Sequence, residues 1–242
     1  MKSFFKGLSI LIFAIVFGAC LGCFSVVFAA PQAYLTMPIS VAVLSGEDKA
    51  VFDEKVAPLL KDGLKSCSGC SFQNITPYTP EGKIALAEVP TRLETAGSSS
   101  SFVYIHWNAK VSDETRPILE SLKKLTQNGL MVIGAAGLAK DQEPTLSLNK
   151  TVLGQVAGLI IIGELEERER MLNRGYFGPE MLTALRPPKD YMGQGYASLF
   201  FASRLATQWN RKSSKEWALH FQTTKSKVRR IWPEIDDFFG RR

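Results

Sequence analysis

Cys67 and Cys70, in the string SCSGC, stand close enough to bond to each other, and three chemistries use such a spacing. A disulfide would pin a loop, as close pairs do in an oxidising compartment. A redox pair would need a helix N-terminus at the first Cys. Here Ser68, Gly69 and the string SFQNITPYTPEG that follows read as loop. Zinc would need two more ligands from a chain whose only histidines are His106 and His220. The disulfide is the favoured reading, and no metal or cofactor is assigned. His106 lies near the end of the apolar string FVYIHW, where a His is more often a hydrogen-bonded structural residue than a base. The string GQGYASLFFASRLATQW (193–209) sets a glycine turn before an apolar helix. Such turns hold reactive side chains or anions at helix N-termini, yet Gly193, Gln194 and Gly195 include no nucleophile.

The elements that must position these residues follow from periodicity. ISVAVL (39–44), FVYIHW (102–107), LMVIGAA (130–136) and VAGLIIIGEL (156–165) are continuous apolar runs, read as strands buried on both faces. KIALAEV (83–89) is read as a further strand. Between them, Val51, Phe52, Val56, Leu59 and Leu60 fall at helical spacing. So do Ile118, Leu119, Leu122 and Leu125, in a helix expected to start at Ser112–Thr115 with its acids in the first turn and to end at Asn128-Gly129. TAGSSSS (95–101) and the proline-bracketed PEMLTALRPP (179–188) are expected as loops, and ELEERERM (164–171) as a solvated segment. In the late helix, Ala197, Phe200, Phe201, Leu205 and Ala206 make an apolar face. Ser213-Ser214-Lys215-Glu216 has capping-box spacing and opens the next helix. Strand, helix, strand alternation with continuous apolar strands predicts an α/β fold: three layers, a mostly parallel central sheet and helices on both faces.

The domain organisation is expected to be residues 1–30 as an export signal or N-terminal membrane anchor and 31–242 as one α/β domain with a basic tail. Lys2 and Lys6 precede an uncharged stretch from Leu8 to Ala30. Val27-Phe28-Ala29 offers small residues where a signal peptidase inspects, while the length would also span a bilayer with the N-terminus inside. Gly18-Ala19-Cys20 resembles the end of a lipobox, ranked last because Phe17 stands where that motif prefers Leu. Each alternative puts the domain outside the cytoplasm, in the periplasm or the medium. Residues 211–242 carry nine Lys or Arg against four acids. For an exported tail of this kind an anionic membrane surface or cell-wall polymer is the natural partner, more than nucleic acid; a solvated helix face explains it equally well. Trp217, Phe221, Trp232, Phe238 and Phe239 interleave with those bases, as on an interface helix or in a core.

Serially, the strings resemble the subtilisin-like serine proteases over nearly the whole of residues 31–242. ISVAVLSGED is similar to the family's first catalytic strand, an apolar run followed by Asp, Ser or Thr and Gly. LTQNGLMVIGAAGLAK is similar to the helix–strand pair ending Ala-Ala-Gly-Asn, and VAGLIIIGELEERERMLNRGYFGPEM to the later strand and its aromatic-Gly-Pro-Glu turn. GQGYASLFFASRLA is similar to Gly-Thr-Ser-x-Ala-Ser-Pro-x-x-Ala-Gly, the nucleophile turn and its helix, and SSKEWALHFQTT to the helix after it. The resemblance puts Ser45 at the orienting Asp, Leu138 at the oxyanion-hole Asn and Gly195 at the nucleophile. No His occurs in residues 46–82, where the base-bearing helix is expected. The implied protein is a pseudoprotease, a binding or regulatory module with the fold but not the triad. Its partner would be a protein or peptide, in a groove where His106, Trp107, Asn108 and Gln194 are expected and where Trp107 and Asn108 narrow the space. Two alternatives stay open: a serine-type peptidase with a relocated active site, for which Ser198 points off the nucleophile axis, and a CxxC thiol–disulfide protein.

Overall fold

The computed structural model describes residues 38–138, 147–165, 175–192, 195–227 and 234–239. These all belong to the compact unit Thr36–Arg242; the expected export segment, Gln194, Trp232 and most of ELEERERM lie outside the described residues. Six strands form one sheet: β1 (Ile39–Ser45), β2 (Cys70–Asn74), β3 (Phe102–His106), β4 (Val132–Ala135), β5 (Ile160–Glu164) and β6 (Met181–Leu185), in the order β2-β1-β3-β4-β5-β6. Every pairing among them is parallel.

Among the described residues, six α-helices pack around it. Helix α1 runs without a break from Lys49–Val51 through a π turn, Phe52–Val56, to Ala57–Leu64. The others are α2 (Val89–Ser99), α3 (Arg116–Gln127), α4 (Ala197–Ala206), α5 (Ser214–Lys227) and α6 (Ile235–Phe239). Alternation along the strands sorts the core into two layers. Val41, Val43, Phe102 and Tyr104 face one way and pack with Phe52, Val56 and Leu60 of α1, Phe201 of α4 and Trp217 and Phe221 of α5. Ala42, Leu44, Val103 and Ile105 face the other way and pack with Leu93 of α2 and Ile118 and Leu122 of α3. This is the expected three-layer α/β arrangement.

Several local expectations are corrected. Residues 83–89 are not a strand: Ile84 makes only an isolated bridge to Tyr78, Leu86–Glu88 is a 3₁₀ turn, and Pro90 sits in the first turn of α2, where proline lacks nothing it needs. Residues 95–99 are the last turns of α2, not a loop. Val89, Leu93 and Ala96 supply its buried stripe, and Thr95, Ser98 and Ser99 turn their hydroxyls back to the carbonyls of Thr91 and Thr95. CSFQN, read as loop, is the edge strand β2, and MLTAL is the opposite edge β6, its prolines lying outside the strand. Helix α3 begins at Arg116, so Asp113 and Glu114 fall in the preceding turn, which Ser112 and Thr115 bind through their hydroxyls. The capping box is formed: Glu216 Oε2 accepts from the Ser213 backbone N–H at 2.7 Å, and Ser213 Oγ from the Glu216 N–H at 3.3 Å.

Candidate functional site

The carboxyl ends of β1, β3, β4 and β5 and the start of α4 enclose a cleft of about 810 Å³, lined among others by Glu47, His106, Trp107, Leu138, Glu164 and Ser198. In a parallel sheet this is where strand ends open into loops, and ligands bind there. The register sets Ser45 beside His106 on neighbouring strands. Ser45 is 1 % exposed; its N–H donates to Thr76 Oγ1 at 2.8 Å, and its Oγ accepts the Glu47 N–H at 3.1 Å. Its hydroxyl therefore ties its own turn rather than a base. Leu138 and Gly195 meet across the cleft floor: a Cβ built on Gly195 would lie 3.7 Å from Leu138 Cδ1. Gly195 has φ +81°, a backbone that L side chains rarely adopt. What meets at that point is an alkyl group and bare backbone.

His106 anchors a buried polar chain. Its Nδ1 is 2.9 Å from the Tyr104 hydroxyl, which is 3.0 Å from Ser198 Oγ. The imidazole also stacks on Tyr196, with centroids 5.2 Å apart and planes 10° from parallel. Burial pushes the imidazole down to about 4, so the ring is neutral at neutral pH. Burial pushes the Tyr104 phenol well up, only partly offset by its hydrogen bond to Ser198. A hydroxyl thus lies within bonding reach of an imidazole at the carboxyl edge, which the sequence reading did not foresee. It is a neutral phenol beneath the cleft, and Ser198 behind it is 1 % exposed.

Trp107 stacks down on the turn after β1, so close that a Cβ on Gly46 would sit 2.5 Å from its Cδ1. It walls the cleft but leaves the volume open. Asn108 is fully committed to structure. Its Nδ2 donates to Ala136 O at 2.7 Å and Thr151 Oγ1 at 3.0 Å, and its Oδ1 accepts from Ala109 N at 3.0 Å and Leu153 N at 3.1 Å. That is the full donor capacity of a carboxamide. It lines the cleft as a pin between loops, with no donor left for a ligand.

Glu164 falls in both the strand read at 156–165 and the solvated segment read at 164–171, and its role at the site was missed from sequence. It is the last residue of β5 and 6 % exposed, and its Oε2 accepts the Ala197 backbone N–H at 2.9 Å. A carboxylate here complements the positive end of α4 and satisfies one of its unpaired amides. Burial pushes the Tyr196 phenol up, and the nearby carboxylates of Glu47 and Glu164 add to the shift.

The remaining chemical residues lie elsewhere. Cys67 and Cys70 form a disulfide with Cα atoms 5.3 Å apart. Cys67 follows the C-terminal end of α1, its N–H donating to Leu64 O. A redox CxxC pair opens a helix at its N-terminus, the reverse of this placement. His220 Nε2 is 2.7 Å from Phe238 O, on the helical face away from the cleft lining. Trp217, Phe221, Phe238 and Phe239 are buried around Phe201. Among the described residues no three His, Cys, Asp or Glu are grouped to hold a metal, and no helix is long and apolar enough to cross a membrane.

No protein-family model matches the chain, and no match is found among curated proteins. Solved structures do match. A cold-adapted subtilisin-like serine proteinase superposes with a TM-score of 0.57 at 11% identity, over 78% of this chain and 82% of that one. A protein described as S41 psychrophilic protease superposes at 0.52 and 14% identity, over 78% and 83%. At these identities the likeness is one of fold: the chain has a subtilisin-like α/β architecture.

Proposed function

We propose that this chain is an exported, non-catalytic subtilisin-like domain that holds a peptide segment of a partner protein in its cleft without cutting it. The observation that carries the proposal is the meeting of Leu138 and Gly195 on the cleft floor. Acyl transfer needs an activated hydroxyl or thiol and a donor aimed at the developing oxyanion. One missing oxyanion donor alone costs about 3 kcal/mol of barrier. Here the donor position carries an alkyl group and the nucleophile position no side chain. The third element, an acid orienting a base, is replaced by Ser45 tied into its own turn. An open cleft of this size without those groups is suited to retention of a ligand rather than turnover.

The hydrogen-bonded chain His106–Tyr104–Ser198 favours a second reading, a hydrolase with a relocated nucleophile. Against it stand the burial of Ser198, a neutral imidazole of low basicity, and a phenol interposed between the two. Both readings meet one experiment on the full chain: fluorophosphonate labelling together with hydrolysis of a peptide library. The expected result is neither label nor cleavage, also in Gly195→Ser, since the buried His106 imidazole is too weak a base to activate a new hydroxyl. Cleavage that survives Gly195→Ala but is abolished by His106→Ala, or a label mapped to Ser198, would establish the second reading.

A further inference from the structure

We infer that His106 is the cleft's specificity residue, donating its Nε2–H to a neutral amide carbonyl of the bound segment. The inference rests on the peptide-binding reading above. Its basis is the direction of the buried hydrogen bonds. Between Tyr104 and His106, either group could donate. A phenol is the more acidic donor and an imidazole nitrogen the better acceptor, so the strong arrangement has the Tyr104 O–H donating to Nδ1. The Tyr104 oxygen then accepts from Ser198, 3.0 Å away. With Nδ1 an acceptor, the neutral ring carries its proton on Nε2.

Among the described residues Nε2 has no hydrogen-bond partner, and the half-buried ring lines the cleft. Stacking on Tyr196 holds its plane, so the N–H is oriented in advance and little freedom is lost on binding. The cleft lining carries four acids, Glu47, Asp48, Glu114 and Glu164, against two cations, Lys83 and Lys110; this negative balance disfavours a ligand carboxylate and favours an uncharged carbonyl as the acceptor. Tyr104 acts as a positioning residue: it lies outside the cleft lining, and with Ser198 as its donor it fixes which nitrogen of His106 bears the proton. The carboxamide of Asn108 cannot serve, because its donors are already used.

The test selects peptides from a random dodecapeptide library on the full chain and measures the selected sequences by fluorescence polarisation. His106→Phe keeps the aromatic stack and removes the donor; about a fivefold loss of affinity is expected. Tyr104→Phe frees Nδ1 and should lower affinity less. Nitrogen-15 NMR of the imidazoles gives an independent readout. The chain has two histidines, so the signal absent in His106→Phe is His106. That ring should be protonated at Nε2 in wild type and lose this preference in Tyr104→Phe. If no peptide is selected, the peptide-binding reading falls and this inference with it. If peptides bind but His106→Phe binds them equally well, or if the wild-type ring is protonated at Nδ1, the inference falls while peptide binding stands.

Discussion

Glu164 and His106 show what a buried polar residue does when it is kept in an otherwise apolar strand end. Glu164 would be costly under β5 without a partner, and the first free amide of α4 supplies one. His106 is held neutral between Tyr104 and Tyr196. Its burial has a measurable consequence. In the unfolded chain a His titrates near 6.5, whereas the folded ring is pushed down to about 4. Between those values the unfolded state binds a proton that the folded state refuses, so stability rises with pH. The contribution is complete above about pH 6.5 and is lost as pH falls through the folded value near 4, up to about 3 kcal/mol for a shift of this size. Urea unfolding of wild type and His106→Phe at intervals between pH 4 and 7.5 should show a steeper fall for wild type over that window. Parallel curves would mean that the ring titrates in the fold as it does in the unfolded chain. Tyr104 and His106 were adjacent in principle from sequence, since residues two apart on a strand share a face. Ser198, nearly a hundred positions later, had no local signal tying it to them. Glu164 had a misleading one, since an acid followed by more charges reads as surface.

Strands differ in how plainly they announce themselves. The central strands β1, β3, β4 and β5 are covered on both faces and read as unbroken apolar runs. The edge strands β2 and β6 were both missed. Cys70–Asn74 alternates half-buried and exposed residues, a pattern that a polar loop also produces. The helix α2 was missed for a related reason: its serine-rich end looks like linker until the hydroxyls are seen bonding back to the preceding turn. The disulfide belongs with the edge problem. It closes the turn that delivers the chain from α1 into β2, whose register with β1 begins at Ile39 and Cys70. An edge strand has one neighbour to hold it, and the covalent turn limits its fraying. Closing so short a loop is worth about 2 kcal/mol in the chain-entropy account. The double variant Cys67→Ser, Cys70→Ser should lose roughly that much. Its hydrogen-exchange protection should fall in β2 and remain in β3 to β5. Loss of protection across the whole sheet would make the bridge a global requirement rather than a clasp on one edge.

At the scale of the molecule, the C-terminal region raises a choice between core and surface. Residues 211–242 combine excess positive charge with interleaved aromatics, which suits either a helix lying on an anionic interface or a charged cover over a core. The described aromatics answer for themselves. Phe201 of α4 has the rings of Phe221, Phe238 and Phe239 at centroid distances of 5.1, 5.9 and 5.0 Å, and the Trp217 indole N–H donates to Trp209 O at 3.1 Å. Helix α4 carries Ala197 and Ser198 at the cleft and Phe201 in this cluster, so the far end of the chain supports the element that floors the site. Phe238 is buried to 1 % exposure. Truncating a ring so placed costs about 3–5 kcal/mol, since the cavity is only partly refilled. In a protein of this size that lowers the melting temperature by roughly 10 °C. Phe238→Ala should therefore show its effect in thermal unfolding, with vesicle association of the full chain unchanged at fixed salt. The opposite pattern, an unaltered melting temperature with weaker association to anionic vesicles, would move these aromatics from the core to an interface. It would also leave α4, and the cleft it floors, without that support.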